Sequence, residues 1–564
     1  MRLCRPWGRQ GPWQHIWLSS RRSFCSGNVT PDVDVDVIQH HPEGLLVSRG
    51  TSGSSKAGPS RGAVFEHGGR HWVSIFEVDR YWFASPLSVR STSEEVRWIS
   101  TEPTPGSCLA PACLRRPTPA QADRAQLSKS LSTGVLAVDV LAPLGVGQSM
   151  LICGPKDTGK STLANEVVEY ALAARQVDKV VHFQSSSAPP ADPTLQRVGT
   201  LMQLAVPAAS SQSAAYLPAL FEAVAVAEEV RDGGKDALLI LDTVAPLLDA
   251  WELALQLAEA AGDLGDAEAL AAQRRAALAA LLERAASLQS GGSLTMLALL
   301  ETEAMAALGI PGQRQAPSAE TANEPTFSLA DFRGRRQSEV ERLQRLQDRG
   351  VALTESSLSA LGIALPGDVA EGVKSAREMQ SLSDGQAVLD KSMAAAGLFP
   401  AMVPGASFSR FGLGSDGASK GAEAKARDVR PPALQAVAAH LRTLLALEQE
   451  AHFRPTTAEV DSHQSRQLQS VASALQQPPG APLLPEEMTA LLLAACSGAL
   501  DALSPSEASQ ALQGGAQSPL LLHLKEAAPG MLTKIGQESK LSQATLRELE
   551  VVVRLFVKLK QAQV

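Results

Sequence analysis

The residues with the clearest chemical potential form the run "GPKDTGKST", in which Gly154–Ser161 fits the pattern G-x-x-x-x-G-K-[S/T]. Glycine at 154 and 159 permits backbone conformations in which several N–H groups converge on phosphate oxygens. Lys160 would place a positive charge beside the terminal phosphates, and the Ser161 hydroxyl is a ligand for Mg²⁺. The pattern predicts a nucleotide site formed by Gly154, Pro155, Lys156, Asp157, Thr158, Gly159, Lys160, Ser161 and Thr162.

Such a loop works only between a strand and a helix, because the positive end of the helix must face the phosphates. The preceding "QSMLICG" is apolar and predicts a buried strand. The following "KSTLANEVVEYALAARQ" has the spacing of an amphipathic helix that begins at Lys160. The alternative is a chance match of the pattern, and the correct flanking elements argue against it.

A second acidic ligand for magnesium is expected at the end of a neighbouring buried strand. The run "ALLILD" ends in Asp242, whose carboxylate would hold the ion through a bound water. The alternative is that Asp242 caps the helix that follows. The sequence therefore predicts Ser161 and Asp242 as the magnesium ligands.

Hydrolysis also needs a group that orients or deprotonates the attacking water. We expect that group at the end of the strand after the first helix, where the chain reads "KVVHFQSSSAPPAD". Gln184, Ser185, Ser186 and Ser187 stand there, and the nearest carboxylate, Asp192, follows two prolines. The sequence predicts a chain that holds a nucleotide without cleaving it.

Four segments differ in their patterns. Short apolar runs bounded by glycine predict a small β-barrel or sandwich with a linker, and alternating strands and helices then predict a parallel sheet covered on both faces. A polar stretch is expected to be a partly disordered surface insertion, and the last segment is almost entirely helical. The predicted domains are 29–125 for the β-barrel-like domain and linker, 126–435 for the nucleotide-binding domain with its insertion at 305–366, and 436–564 for a helical bundle.

The bulk composition excludes several classes of protein. The net charge of -8 argues against a general polyanion binder, so no nucleic-acid partner is predicted. The 6 cysteines lack paired metal-ligand spacing, which argues against a zinc site or disulfide framework. Residues 1–28 are rich in arginine and free of acids, which is typical of a mitochondrial transit peptide. A disordered basic tail is the alternative.

The order of these motifs resembles the α subunit of the rotary ATP synthase catalytic head. The similarity runs with gaps from about residue 127 to the end and is carried by blocks at 132–162, 230–242, 281–302, 381–390 and 399–415. The chain departs from that family's text in places, for example where Phe399 stands before Pro400 and the family has an arginine.

The resemblance implies a RecA-like phosphate-loop domain between an N-terminal β-barrel and a C-terminal helical bundle. It implies ATP with Mg²⁺ at a non-catalytic site, and an arginine, here Arg410 in "SFSRFG", that is donated to the catalytic site of a neighbouring β subunit. The partners would be β subunits in an alternating α3β3 ring, the γ central shaft and the peripheral stalk. The chain would lie on the matrix side of the mitochondrial inner membrane, associated with the membrane only through the complex.

Three hypotheses remain open from the sequence. The first is a working mitochondrial α subunit, itself non-catalytic. The second is a paralogue that kept the fold and became an accessory or assembly protein. The third is a RecA-like motor on nucleic acid, which the acidic balance and the missing carboxylate after "KVVHFQ" disfavour. Without the surrounding block, Arg410 would be more typical of a surface salt-bridge partner than of a donated arginine.

Overall fold

The computed structural model describes the chain in separate ranges. These are residues 35–49, 59–87, 97–99, 109–127, 129–185, 201–206, 214–262, 266–302, 378–410, 462–538 and 541–563, with single positions near 344 and 434–441. The predicted transit peptide falls outside these ranges, as does the predicted insertion apart from position 344, and so do Ser186, Ser187 and Asp192. The described residues form two compact units, 1–127 with 146–149 and 171–299, and 128–145 with 150–170 and 300–564.

The first unit begins with a five-stranded antiparallel sheet in the order β1-β2-β5-β4-β3. Its concave face is apolar, and Leu45, Val47, Phe65, Trp72 and Ala84 are buried in one cluster. The small β-barrel or sandwich predicted from the glycine-bounded apolar runs is confirmed in part, since the described strands form one antiparallel sheet whose edge strands do not pair with each other. The strands are β1 (Val35–His41), β2 (Gly44–Arg49), β3 (Val64–His67), β4 (Arg70–Val78) and β5 (Tyr81–Pro86).

A second group of strands in the first unit has the order β14-β12-β10-β11-β6, and β13 pairs with β14. Their central pairings are parallel, as the strand–helix alternation predicted. The β6 and β13 strands pair antiparallel at the margins. The bounds are β6 (Arg97–Ile99), β10 (Lys179–Ser185), β11 (Leu201–Val206), β12 (Asp236–Leu241), β13 (Ala286–Ser287) and β14 (Ser293–Glu301).

The helices of the first unit include one in a stretch that the sequence assigned to a linker. Residues 109–115 form helix α1, in which Cys113 and Leu114 are buried. The linker prediction is wrong there, because a helix of two turns between prolines is too short to show helical periodicity. The others match apolar periodic runs and are α4 (Leu217–Asp232), α5 (Ala245–Ala260) and α6 (Ala267–Leu282).

The second unit contains the strand and the helix that flank the glycine-rich loop. The strand β9 (Ser149–Gly154) pairs in parallel with β15 (Gly385–Val388), which pairs antiparallel with β16 (Phe408–Ser409). Ser149 and the last three residues of helix α3 (Lys160–Ala173) belong to the first unit. The remaining short elements are β7 (Ser130–Leu131), α2 (Leu136–Leu141), β8 (Leu144–Gly145) and α7 (Lys391–Ala395).

The end of the second unit is helical, as predicted. Helices pack on one another through buried residues such as Leu491, Leu521 and Val553, and a salt bridge of 2.7 Å joins Lys525 to Glu487. None of the helices in the described ranges combines the length and apolar content that a bilayer-spanning segment requires. They are α8 (Ser462–Ala474), α9 (Pro485–Cys496), α10 (Pro505–Leu512), α11 (Pro519–Ala527), α12 (Met531–Gln537) and α13 (Gln543–Gln563).

Candidate nucleotide-binding site

The loop between β9 and α3 has the backbone of a phosphate cradle. Gly159 has φ +86°, and Asp157 has φ 62° in the left-handed region that L-residues rarely adopt. Within the described part of the chain, the backbone N–H groups of residues 156–159 donate to no acceptor. Successive N–H groups without a protein partner, at the start of a helix, are what an anionic phosphate requires.

Close packing fixes the base of the loop. A Cβ at Gly154 would lie 2.8 Å from the carbonyl oxygen of Leu389 and 3.0 Å from Thr158 Oγ1, so only glycine fits there. Thr158 is buried, and its hydroxyl donates to the carbonyl oxygen of Pro155 at 2.9 Å. These contacts within the protein therefore fix the backbone at the base of the loop.

Lys160 lies over the loop that precedes it. Its Nζ donates to the carbonyl oxygens of Gly154 at 3.0 Å and Pro155 at 2.6 Å. Ser161 follows it at the start of α3 and is partly exposed, as is Lys160, whereas Lys156, Asp157 and Thr162 are exposed. A phosphate bound in the loop would offer Lys160 charged acceptors in place of neutral carbonyls, and charge-assisted hydrogen bonds are the stronger ones.

Phe399 contacts the same loop. Its ring atoms lie 3.7 Å from the position that a Cβ on Gly159 would take, and the ring is half-buried. The backbone of Phe399 is held by Gln477, whose N–H donates to the Phe399 carbonyl oxygen at 2.7 Å. The sequence marked Phe399 only as a departure from a family pattern, and gave no signal that Gln477 would support it.

Both polar atoms of the Gln477 side chain form hydrogen bonds within the protein. Its side-chain oxygen accepts from the Leu136 N–H at 3.0 Å, and its side-chain nitrogen donates to Gly134 O at 2.8 Å and Ala481 O at 2.7 Å. The side chain is 3% exposed. Gln477 therefore acts as a buried connector between residues 134–136 and the turn before α9, which no sequence pattern indicated.

Asp242 directly follows β12 and belongs to the first unit, whereas Lys160 and Ser161 belong to the second. Its backbone N–H donates to the Phe183 carbonyl oxygen at 2.9 Å, which ties it to the end of β10. Asp242 raises the pKa of His182, but burial lowers it more strongly, to about 4. His182 is therefore neutral near pH 7, and its buried Nε2 atom has no hydrogen-bond partner.

The position expected for a catalytic carboxylate holds an amide. Gln184 is 3% exposed near the end of β10, and its Oε1 accepts from Gln203 Nε2 at 3.3 Å. Gln203 lies on β11, a strand that the sequence analysis did not predict. An amide hydrogen-bonded in this way has no proton-accepting group of useful basicity. Ser185 is the last residue of that strand.

Arg410 directly follows β16 and is exposed. Its guanidinium donates to the Ser381 carbonyl oxygen at 2.7 Å, and its backbone N–H donates to the Asp384 carbonyl oxygen at 2.8 Å. Two sequence blocks that the resemblance singled out, 381–390 and 399–415, are thus brought together around Arg410. No acidic partner for Arg410 is present in the described ranges, so the salt-bridge alternative finds no support there.

Comparison with known proteins agrees with this geometry. Residues 134–306 match the family described as "ATP synthase alpha/beta family, nucleotide-binding domain". This segment is therefore similar to the nucleotide-binding domain of ATP synthase alpha and beta subunits. It contains the glycine-rich loop, Lys160, Ser161 and Asp242, whereas Arg410 lies outside it.

Similar proteins include bacterial ATP synthase alpha subunits. The chain is 29% identical to "ATP synthase subunit alpha 1" of Paraburkholderia xenovorans over 413 residues, which is 71% of this chain and 64% of that protein. It is 32% identical to the alpha subunit of Limosilactobacillus fermentum over 34% of this chain and 38% of that protein. It is 26% identical to the Dehalococcoides mccartyi alpha subunit over 79% and 74%. The first two matches span less than two thirds of the relative's length.

Proposed function

We propose that this chain is an α-type subunit of a mitochondrial rotary ATP synthase, which binds Mg-ATP at a non-catalytic site. One observation carries the proposal. A loop with the backbone of a phosphate cradle lies inside the ATP synthase alpha/beta family segment, while the strand end expected to supply a catalytic base carries Gln184. The chain therefore holds the nucleotide, and the chemistry belongs to a neighbouring subunit.

In the proposed site, residues 154–162 hold the phosphates through backbone N–H groups and Lys160. Ser161 and Asp242 are the residues that would hold a magnesium ion, and a bound ion would neutralise part of the phosphate charge. The half-exposed ring of Phe399 borders the loop at Gly159. Because Gln184 cannot take up a proton from water, a bound triphosphate persists.

The proposal includes a catalytic contribution in trans. Arg410 is exposed, its backbone N–H donates to the Asp384 carbonyl oxygen, and its guanidinium donates to the Ser381 carbonyl oxygen, so the side chain is already partly ordered before it meets a neighbouring protein. A donated guanidinium neutralises charge on a phosphoryl group in transfer. The partners would be β subunits alternating with this chain in an α3β3 ring, the γ shaft and the peripheral stalk, on the matrix side of the inner membrane.

Two measurements on the purified chain test the non-catalytic site. Equilibrium dialysis with Mg-ATP should give one bound nucleotide per chain, and phosphate release should not exceed the rate of a Lys160→Ala variant. Brisk hydrolysis by the lone chain would contradict the assignment. Stimulation of that hydrolysis by single-stranded DNA or RNA would instead favour a RecA-like motor.

A second candidate is an accessory or assembly paralogue, which the short overlap with the first two relatives favours, at 64% and 38% of their lengths. The number of copies of this chain per β subunit distinguishes a ring subunit from an accessory paralogue. A gentle purification of the mitochondrial complex, with quantitative peptide counting, should give one copy of this chain per β subunit for a ring member. A ratio far below one would support the paralogue.

A further inference from the structure

The five-stranded sheet of the first unit is curved enough for side chains on its two edge strands to meet. The edge strands β1 and β3 stand at opposite ends of the strand order. The ring centroids of His40 on β1 and His67 on β3 are nevertheless 5.7 Å apart, with the ring planes tilted by 50°. No backbone pairing joins the two strands in the described part of the chain, so this histidine pair spans an open seam.

An irregularity in β1 turns His40 toward the concave face. Val37 is opposite Val47, but the register then shifts, so that Gln39 is opposite Leu46 and His40 is opposite Leu45. Directly opposed residues in an antiparallel pair lie on the same face. Because Leu45 and Val47 both belong to the buried cluster, His40 shares its face. Without the shift, His40 would point the other way.

His67 reaches the same place by ordinary alternation. It follows Phe65 by two residues on β3, and Phe65 is buried in the same cluster. Trp72 fixes the local geometry, since its indole nitrogen donates to the His67 carbonyl oxygen at 3.1 Å and its ring stands edge-on to His40 at 6.3 Å. His40 is exposed and His67 is half-buried, so solvent reaches both imidazoles.

The spacing of the two rings suits a shared metal ion. With metal–nitrogen bonds of about 2.1 Å and a tetrahedral angle, two imidazole centroids lie about 5 Å apart, which small side-chain rotations reach from the observed spacing. Imidazole is a preferred ligand of Zn²⁺, Cu²⁺ and Ni²⁺. No cluster of three or more metal-ligating side chains occurs among the described residues, so water would complete the coordination.

We propose that His40 and His67 together bind one divalent transition-metal ion of the Zn²⁺ or Cu²⁺ class, which links the two edge strands of the sheet.

The other polar side chains near the two histidines are not expected to bind the ion. His41 is engaged as an acceptor of the Glu43 N–H at 3.2 Å. Arg70 is opposite His67 in register and adds a positive charge that weakens the affinity. Glu66 and His71 are opposite one another and alternate to the other face.

Zinc titration of the full chain by calorimetry tests the site. A His40→Asn/His67→Asn double variant should bind one equivalent of Zn²⁺ fewer than the natural sequence. His71→Asn is the matched control, because it removes a histidine from the neighbouring strand on the opposite face, and it should bind as many equivalents as the natural sequence. Saturating Zn²⁺ should also raise the melting temperature of the natural chain more than that of the double variant.

A second variant keeps the proposal testable if the double variant folds poorly. Arg70→Ala alters an exposed side chain and should tighten the zinc affinity by at least about twofold, because it removes a like charge near the ion. Equal stoichiometry in the natural chain and a folded double variant would overturn the proposal. So would an Arg70→Ala affinity that is unchanged or weaker.

Discussion

Lys160 illustrates how much of the nucleotide site depends on single residues. Its ammonium group already donates to two carbonyl oxygens of the loop, so it is held in place before any phosphate arrives. The neighbouring backbone is strained at Asp157 and needs glycine at 159. A side chain held in this way loses little freedom on binding, which favours affinity.

Lys160→Ala should weaken Mg-ATP binding by roughly tenfold to a hundredfold, because a charged hydrogen bond contributes about 1.5–3 kcal/mol. Fluorescence titration with a labelled ATP analogue measures this loss. Lys558→Ala, which removes the same charge from an exposed position on α13, is the control and should bind as the natural chain does. Equal affinity in both variants would mean that Lys160 does not contact the phosphates.

Asp139 was marked in the sequence only as part of a family block, and the structure shows it as a buried carboxylate. It is 6% exposed and accepts from the Thr133 N–H at 2.9 Å, the Thr133 hydroxyl at 2.7 Å and the Ser132 hydroxyl at 2.8 Å. Burial raises the pKa of Asp139 to about 6, against the opposing effect of these hydrogen bonds. Between the ordinary pKa of 3.8 and this raised value, the Asp139 carboxyl keeps its proton in the folded chain and has lost it in the unfolded chain.

The Asp139 pKa is near 3.8 in the unfolded chain and near 6 in the folded chain. The free energy of unfolding therefore decreases as pH rises through this range. Between pH 5 and pH 7 the loss attributable to Asp139 is about 1.4 kcal/mol, since one pKa unit corresponds to about 1.4 kcal/mol. Asp139→Asn lacks this dependence. Denaturant unfolding at both pH values should show the natural chain losing that much stability relative to the variant, and a constant difference would contradict the shifted pKa.

At the scale of elements, α1 is held to α4 and the end of α6 by buried charges. Arg284 and Glu228 are each about 1% exposed and form a salt bridge of 3.0 Å. Arg284 also donates to the Cys113 carbonyl oxygen at 2.9 Å, and the Cys113 thiol donates to Glu228 at 3.6 Å. Mainly because of burial, the pKa of the Cys113 thiol is raised to about 12, so the thiol stays protonated.

Glu228→Gln should destabilise the chain by roughly 3–5 kcal/mol, because it leaves the buried Arg284 without its counter-charge. Glu550→Gln removes a carboxylate that is 38% exposed and paired with Arg554, itself 65% exposed, and should cost at most about 1 kcal/mol. Urea unfolding of both variants measures the difference. Equal losses would show that the buried pair adds nothing beyond a surface pair.

The elements that the sequence missed share a physical cause. The strands β11 and β15 span 6 and 4 residues, and so short an apolar run has no periodicity of its own. They become strands because each lies in parallel register beside a longer one, β10 and β9 respectively. The helices α4 and α5 span 16 residues each, and runs of that length rich in alanine and leucine indicate helix before any tertiary contact forms.

At the scale of the whole assembly, the proposed role of Arg410 makes a sharp prediction. Arg410→Ala should lower the ATPase rate of the assembled ring by roughly 10³–10⁵-fold, as expected for a guanidinium donated to a phosphoryl group. Binding of ATP to this chain and the ratio of subunits should not change. A normal rate would remove Arg410 from the catalytic role, and a loss of ring assembly would give it a structural one.

Arg554→Ala serves as the matched control for that experiment. Arg554 is an exposed arginine on α13 whose side chain pairs with Glu550 at 2.6 Å, one turn earlier. An exposed pair of this kind contributes little to stability. Rings that carry this variant should run at the natural rate, which separates the loss of Arg410 from the loss of any surface arginine.

The sequence by itself determined the phosphate loop, the flanking strand and helix, and the amide at Gln184 near the end of β10. These are local properties, set by residue types at fixed spacing along one segment. Only the tertiary structure decided that Gln477 supports Phe399, that Asp139 is buried, that Arg284 pairs with Glu228 and that His40 meets His67. Each of these features depends on contacts between residues that are far apart in the sequence. Such contacts, and the burial that determines their strength, exist only once the chain has folded.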